Sequence, residues 1–347
     1  MSGQIDDHMK ACRLCPRECG VDRASGQRGY CGADAQIRVV RAALHFWEEP
    51  CISGKAGSGA VFFSGCSLGC VYCQNAEISG SRGALRYVCE NPAGGEDAQR
   101  AHEGTRGGDD ARSRRGLPGR IVSVEHLADI FLRLQETEHA LNINLVTAAH
   151  YIPQVAEALR TARIRGLRVP VIYNSSGYEK ADSLRMLDGL VDVYLPDYKY
   201  ITPALAKLYS NAEDYPRRAA EALAEMVRQT GPAIFSTGGT TADTPLLIRR
   251  GVIVRHLLLP GHVSESRKVV KYLHETYGND IYISLMNQYT PMPAMREDPL
   301  LHRKVTAREY GRLVDYAIEI GVENGFIQEG GTAEESFIPS WNGEGVE

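Results

Sequence analysis

The sequence predicts an α/β chain built on a parallel sheet. Three observations predict it. Six short apolar runs, rich in Val, Ile, Leu and Tyr, recur between residues 59 and 286. The stretches between them carry apolar residues at helical spacing, bounded by capping residues and glycines. Strand and helix alternate, as in βα units rather than hairpins.

GAVFFSG (residues 59–65) is the first strand, apolar and closed by glycine. Ser123 caps the first long helix, whose Leu127, Ile130, Phe131 and Leu134 fall at i, i+3, i+4 and i+7. NINLVT (142–147) is the second strand. Pro153 suits the first turn of a helix carrying Val155, Leu159 and Ala162 and stopped by Gly166. VPVIYN (169–174) is the third strand, a short helix covers residues 181–187, and VDVYL (191–195) is the fourth strand. Two helical stretches follow at 203–209 and 216–230. GVIVRHLLL (251–259) is the fifth strand, 264–277 a helix, and DIYISLM (280–286) the sixth strand. The last helix opens on a capping box, Thr306 to Glu309, and runs to Gly321. A partial (β/α) barrel and an open doubly wound sheet both accommodate this order. In both, ligands meet the chain at the carboxyl ends of the strands.

Two regions depart from the alternation. Residues 91–119 are rich in Gly, Arg and Asp and nearly devoid of large apolar side chains. Such a composition does not bury enough surface to offset its ordering entropy, so it reads as a solvated insertion. Residues 1–58 show no βα repeat and hold four clustered cysteines. The predicted division is a cysteine-rich extension over 1–58, the βα body over 59–325 and a tail over 326–347.

Composition narrows the function. The chain has 347 residues, 43% of them apolar, which is enough for a sizeable core. A formal net charge of −4 argues against nucleic acid or an anionic membrane as partner. The N-terminus, MSGQIDDHMK, has no apolar segment of a secretory signal, and no run approaches a membrane span, so a cytoplasmic protein is expected. Seven of the nine cysteines fall in two groups, and Cys51 and Cys89 stand alone. In a reducing compartment, grouped thiols favour metal or cluster ligation over disulfides.

Cys66, Cys70 and Cys73 form C-x3-C-x2-C in the loop after the first strand. A structural zinc site takes four protein ligands. Three thiolates leave a position open, and an iron–sulfur cube held by three would keep one iron free for an exogenous ligand. The glycines before Cys66 and Cys70 let the loop wrap a bulky centre. Cys12, Cys15, Cys19 and Cys31 supply a second set. Four thiols suit a closed centre, zinc or an auxiliary cluster, with sulfurs ~3.5–4 Å apart if one tetrahedral ion is held. Reduced thiols that merely pack are the plainer alternative.

The motif C-x3-C-x-Φ-C, with Tyr72 as the aromatic, resembles the signature of the radical S-adenosylmethionine (SAM) superfamily. Together with EEPCISGKAGSGAVFFSGCSLGCVYCQNAEIS (48–79), ACRLCPRECGVDR, VDVYLPDYKY, VRHLLLPGH and ISLMNQYTP, it resembles the PflX-like branch, relatives of the pyruvate formate-lyase activating enzyme. The match covers roughly residues 10–80 and 121–340. The resemblance implies a partial (β/α)6 barrel of radical SAM type. It implies a [4Fe-4S] cluster on Cys66, Cys70 and Cys73, with SAM on the fourth iron. Reductive cleavage of SAM then gives a 5′-deoxyadenosyl radical that abstracts hydrogen. A one-electron reductant such as flavodoxin or ferredoxin is implied as partner.

The strand ends supply candidate SAM contacts. Tyr72 is placed near the adenine by the resemblance. Thr147 stands where relatives carry Thr-Pro-Thr-His-Tyr, here Thr147-Ala148-Ala149-His150-Tyr151. Asn174 and Ser175 suit ribose hydroxyls or a carboxylate. Asp197 and Lys199 alternate along a strand end and share a face. His150 is either a ligand contact or a core histidine. Arg255, His256, Gln288 and Tyr289 line the interior if they face inward. Three functions compete. The first is radical chemistry on a macromolecule, for instance installing a glycyl radical on a protein substrate, the second radical modification of a small molecule or peptide, and the third non-catalytic electron transfer. Reductive SAM cleavage separates the third from the others.

Overall fold

The computed structural model describes residues 7–80, 117–237, 246–292, 295–328 and 339–347. Ten strands occur among them. They are β1 (Ile37–His45), β2 (Ser58–Phe63), β3 (Arg120–Val122), β4 (Ile143–Val146), β5 (Val171–Ser175), β6 (Val193–Pro196), β7 (Ile234–Phe235), β8 (Ile248–Leu257), β9 (Tyr282–Met286) and β10 (Gly325–Ile327). The helices are α1 (Pro50–Ser53), α2 (Ala76–Ser79), α3 (Val124–Glu136), α4 (Ile152–Arg165), α5 (Ala181–Leu184), α6 (Pro203–Ser210), α7 (Tyr215–Thr230), α8 (Val263–Tyr277) and α9 (Ala307–Glu319).

Helix ends form where local chemistry predicts them. The Ser123 side chain accepts from the His126 amide at the start of α3. Gly166 ends α4 in the left-handed region. Thr306 and Glu309 complete a reciprocal capping box on α9.

The strands lie in the order β10-β9-β8-β6-β5-β4-β2-β1-β3, with β7 beside β8. From β2 to β10, successive neighbours on this path are parallel. Their spatial order follows chain order and never reverses. Right-handed crossovers that always step the same way keep their helices on one face, so the sheet is singly wound. A doubly wound sheet needs a reversal, which is absent here. The sheet is not closed, since β3 and β10 end the path.

Three features differ from the sequence expectation. The segment assigned to an extension contributes β1, antiparallel to β2 in the same sheet. Arg38 and Arg41 interrupt its apolar pattern, yet Val39, Val40 and Ala42 are buried. The boundary at 325 falls inside β10, which adds a seventh parallel strand beside β9. The last residues are no loose tail. The Ala42 amide donates to Glu344 O, Arg41 pairs with Glu344, and Val346 is buried in the main core. The expected insertion at 91–119 lies, up to residue 116, outside the described residues.

Strand alternation sorts side chains between two faces. Val61 and Phe63, Ile143 and Leu145, and Tyr173 and Tyr194 pack with Phe131, Leu159, Leu223 and Leu273 of the helices. On the other face Ile172, Val193, Leu195 and Ile253 enclose Cys51 and Ile52 of α1. Asn142, just before β4, donates to Ile52 O at 2.8 Å, so α1 plugs the interior at the amino ends of the strands. The carboxyl ends stay available for a site.

Candidate functional site

The cysteine loop leaves β2 through Ser64 and Gly65. Gly65 has φ +94°, and a Cβ there would lie 2.7 Å from Cys31 O, so the turn admits only glycine. Cys66, Cys70 and Cys73 follow, each half-buried. Burial pushes all three thiols up, and Cys70 reaches about 11. The charges of Cys73 and Cys70 raise Cys66 further, while the Lys199 ammonium pulls all three down. Thiolates here therefore need a strong local cation, which a metal centre supplies.

The donor set is chemically uniform, three soft sulfurs on one loop. Among the described residues no three His, Cys, Asp or Glu side chains stand close enough for a single ion. Three soft thiolates on one loop are a donor set that fits an iron–sulfur centre. Cys51 sits in α1 at the opposite end of the strands, apart from this loop, and Cys89 lies outside the described residues.

The end of α6 clamps the loop. The amides of Gly69 and Val71 donate to Ser210 O and Tyr209 O. Arg17 donates through Nε to Ser67 O at 2.9 Å and through Nη1 to Asn211 O at 2.6 Å. The extension thereby ties loop and helix together. Ser210 Oγ donates to Cys70 Sγ at 3.1 Å. Sequence reasoning singled out neither Ser210 nor Arg17, because their contacts span 140 and 50 residues and leave no local pattern.

The predicted strand-end residues divide. Asp197 Oδ2 pairs with Lys199 Nζ at 2.7 Å beside Cys70, on one face as the alternation predicts. Thr147 holds φ +62°, unusual for a β-branched residue, and its amide donates to Asn174 O at 2.9 Å. Asn174 is half-buried at the β5 end. Ser175 alternates to the other face, where its Oγ accepts from the Gly177 amide and its side chain bonds Glu179. It is 4% exposed and does not share the face of Asn174. Tyr72 is buried in the main core, its hydroxyl bonded to Tyr200. His150 is a core histidine. Its Nε2 meets Ser64 O at 2.8 Å, and burial holds its pKa down to about 3, so the ring is neutral.

Deeper in the interior, Arg255 Nε and Nη2 donate to Glu49 at 2.9 and 2.5 Å, and Nη2 also pairs with Glu48. Asn144 Nδ2 donates to Glu48 at 2.9 Å. Burial raises the Glu49 carboxyl, but the guanidinium outweighs it and the net shift is downward. This network fastens the α1 segment to β8 and β4. His256 faces the opposite way, its Nδ1 2.7 Å from Tyr198 O. Gln74 Nε2 donates to Gln288 O at 2.8 Å, and the buried Tyr289 hydroxyl donates to Leu301 O.

The N-terminal thiols correct an expectation. Cys15 is pushed up to about 12 by burial, with smaller pushes from Cys31, Cys12 and Cys19, so the four share a neighbourhood. They do not reach single-ion distances. Arg23 Nη1 donates to Cys12 Sγ at 3.6 Å, Cys19 is exposed and accepts from the Tyr30 amide, and Cys31 packs in the main core. The ~3.5–4 Å sulfur spacing that one tetrahedral ion requires is therefore not reached among them.

Among the described residues no helix is long and apolar enough to cross a membrane. No protein-family model matches the chain. It is similar to an uncharacterized protein of Methanocaldococcus jannaschii, 23% identical over 310 residues, covering 89% of this chain and 74% of that protein. Among solved structures it is similar to Streptococcus suis SuiB bound to S-adenosylmethionine, with TM-score 0.44 and 10% identity over 80% of this chain and 51% of SuiB. SuiB bound to its precursor peptide SuiA gives TM-score 0.43 and 9% identity over 76% of this chain and 46% of that chain. The chain spans about half the length of these solved structures.

Proposed function

We propose that this protein is a radical SAM enzyme of the PflX-like branch, which reductively cleaves S-adenosylmethionine and uses the product radical for hydrogen abstraction. The observation that carries the reading is the loop of Cys66, Cys70 and Cys73 at the carboxyl end of β2. Its three half-buried cysteines have no fourth cysteine in the loop and lie under the influence of one nearby cation, Lys199. Cys66, Cys70 and Cys73 would hold a [4Fe-4S] cluster, which would supply the electron for the cleavage. The chain's own part is to hold and shield. Gly65 turns the loop, α6 and Arg17 clamp it, and the Asp197–Lys199 pair sets the local field. Asn174 and Thr147 at neighbouring strand ends are the polar groups that would orient SAM. A protein substrate that receives a glycyl radical is the finer reading, and flavodoxin or ferredoxin the reductant.

The test is anaerobic reconstitution with iron and sulfide, then incubation with SAM and dithionite. The expected product is 5′-deoxyadenosine, lost in the Cys66→Ala/Cys70→Ala/Cys73→Ala chain. A reconstituted wild type that takes up iron but releases no 5′-deoxyadenosine would overturn the reading and leave electron transfer in its place.

A further inference from the structure

We propose that Tyr72, Tyr200 and Ser210 form a one-directional hydrogen-bond chain ending on Cys70 Sγ, and that this chain raises the reduction potential of the iron–sulfur centre. The inference rests on the iron–sulfur reading of the cysteine loop. Ser210 Oγ lies 3.1 Å from Cys70 Sγ and 2.9 Å from the Tyr200 hydroxyl, which in turn bonds the Tyr72 hydroxyl. Ser210 and Tyr200 are fully buried and Tyr72 is 6% exposed, so bulk water does not compete for these bonds.

Counting protons sets the direction. A hydroxyl has one proton. A thiolate sulfur offers none, so Ser210 spends its proton on Cys70. Tyr200 must then donate to Ser210, and Tyr72 must donate to Tyr200. All three O–H dipoles point toward the sulfur. Aligned hydrogen bonds polarise one another, so each strengthens the next. Reduction adds one negative charge to the centre and its sulfurs. Donors aimed at a ligand sulfur stabilise that state more than the oxidised one, and the potential rises.

Position and electronics are separable here. The clamp on the loop is made by backbone groups, the Gly69 and Val71 amides on Ser210 O and Tyr209 O. Side-chain substitutions at Ser210, Tyr200 and Tyr72 leave those bonds in place. A purely structural role for the hydroxyls would move loading or stability, whereas the proposed role moves the potential of a loaded centre. These are positioning residues that act through Cys70.

The experiment is an EPR-monitored redox titration, without SAM, of the anaerobically reconstituted full chain and four variants. Ser210→Ala is expected to lower the reduced-to-oxidised ratio at a fixed potential about tenfold, which is about 59 mV for a one-electron couple. Ser210→Thr restores the hydroxyl and the potential. Tyr200→Phe gives a smaller drop and Tyr72→Phe a smaller one still. Should Ser210→Ala fail to load, the two near-isosteric Phe variants carry the test. Loaded variants with unchanged potentials overturn the proposal and leave the enzyme reading standing. A wild type that takes up no cluster overturns both.

Discussion

Glu179 offers a direct measurement of what burial costs. It is 1% exposed, its Oε1 accepts from the Tyr173 hydroxyl at 3.3 Å, and its Oε2 has no hydrogen-bond partner. Burial pushes its pKa from 4.5 up to about 8, against smaller opposing effects of Ser175 and Tyr173. The folded chain therefore keeps a proton that the unfolded chain releases, across the window from 4.5 to about 8. Folding takes up a proton there, so stability falls as pH rises through the window. At 1.36 kcal/mol per pKa unit, the site costs about 2 kcal/mol at pH 6 and about 5 kcal/mol at pH 9. Glu179→Gln has no proton to lose. Whatever its packing costs is independent of pH, and all other groups cancel in the comparison. Urea unfolding of both chains at pH 6 and pH 9 should show the variant gaining about 3 kcal/mol relative to wild type. Parallel pH profiles would refute the reasoning, because they would mean that the carboxyl is ionised in the fold at both values.

Three further outcomes are expected. Arg255→Leu leaves Glu48 and Glu49 without their cation and should cost about 3–5 kcal/mol in urea unfolding, part of it recovered by adding Glu49→Gln. Gly65→Ala forces a Cβ to within 2.7 Å of Cys31 O at a positive φ, so iron and sulfide uptake on reconstitution should fall, with a stability loss of about 1–3 kcal/mol. Unchanged iron content would show that the turn is not tight. Thr306→Ala removes the reciprocal cap of α9 and should lower stability by about 1 kcal/mol, read from the urea midpoint.

Much of the scaffold was legible because its determinants are local. Ser123, Gly166 and the Thr306–Glu309 pair act within one helical turn, and each ended or began a helix as read. The βα alternation and the loop after the first strand follow from apolar periodicity and cysteine spacing. Strand β1 was missed because its arginines break the alternation that reveals a strand in isolation. Arg38 stands beside Asp34, just before the strand, and Arg41 finds Glu344, some 303 residues later.

By itself the sequence determined the class of the fold and the place of the three-cysteine loop, since hydrophobic period and motif spacing are properties of neighbouring residues. Tertiary structure decided the winding of the sheet, because strand order depends on which way each crossover steps. It separated Ser175 from Asn174 by the pleat of one strand. It left the four N-terminal thiols in one neighbourhood but short of single-ion spacing. It also brought Ser210, Tyr200 and Lys199 to the cysteine loop from more than a hundred residues away. Those contacts come from chain returns across the sheet, and no short stretch of sequence encodes a return.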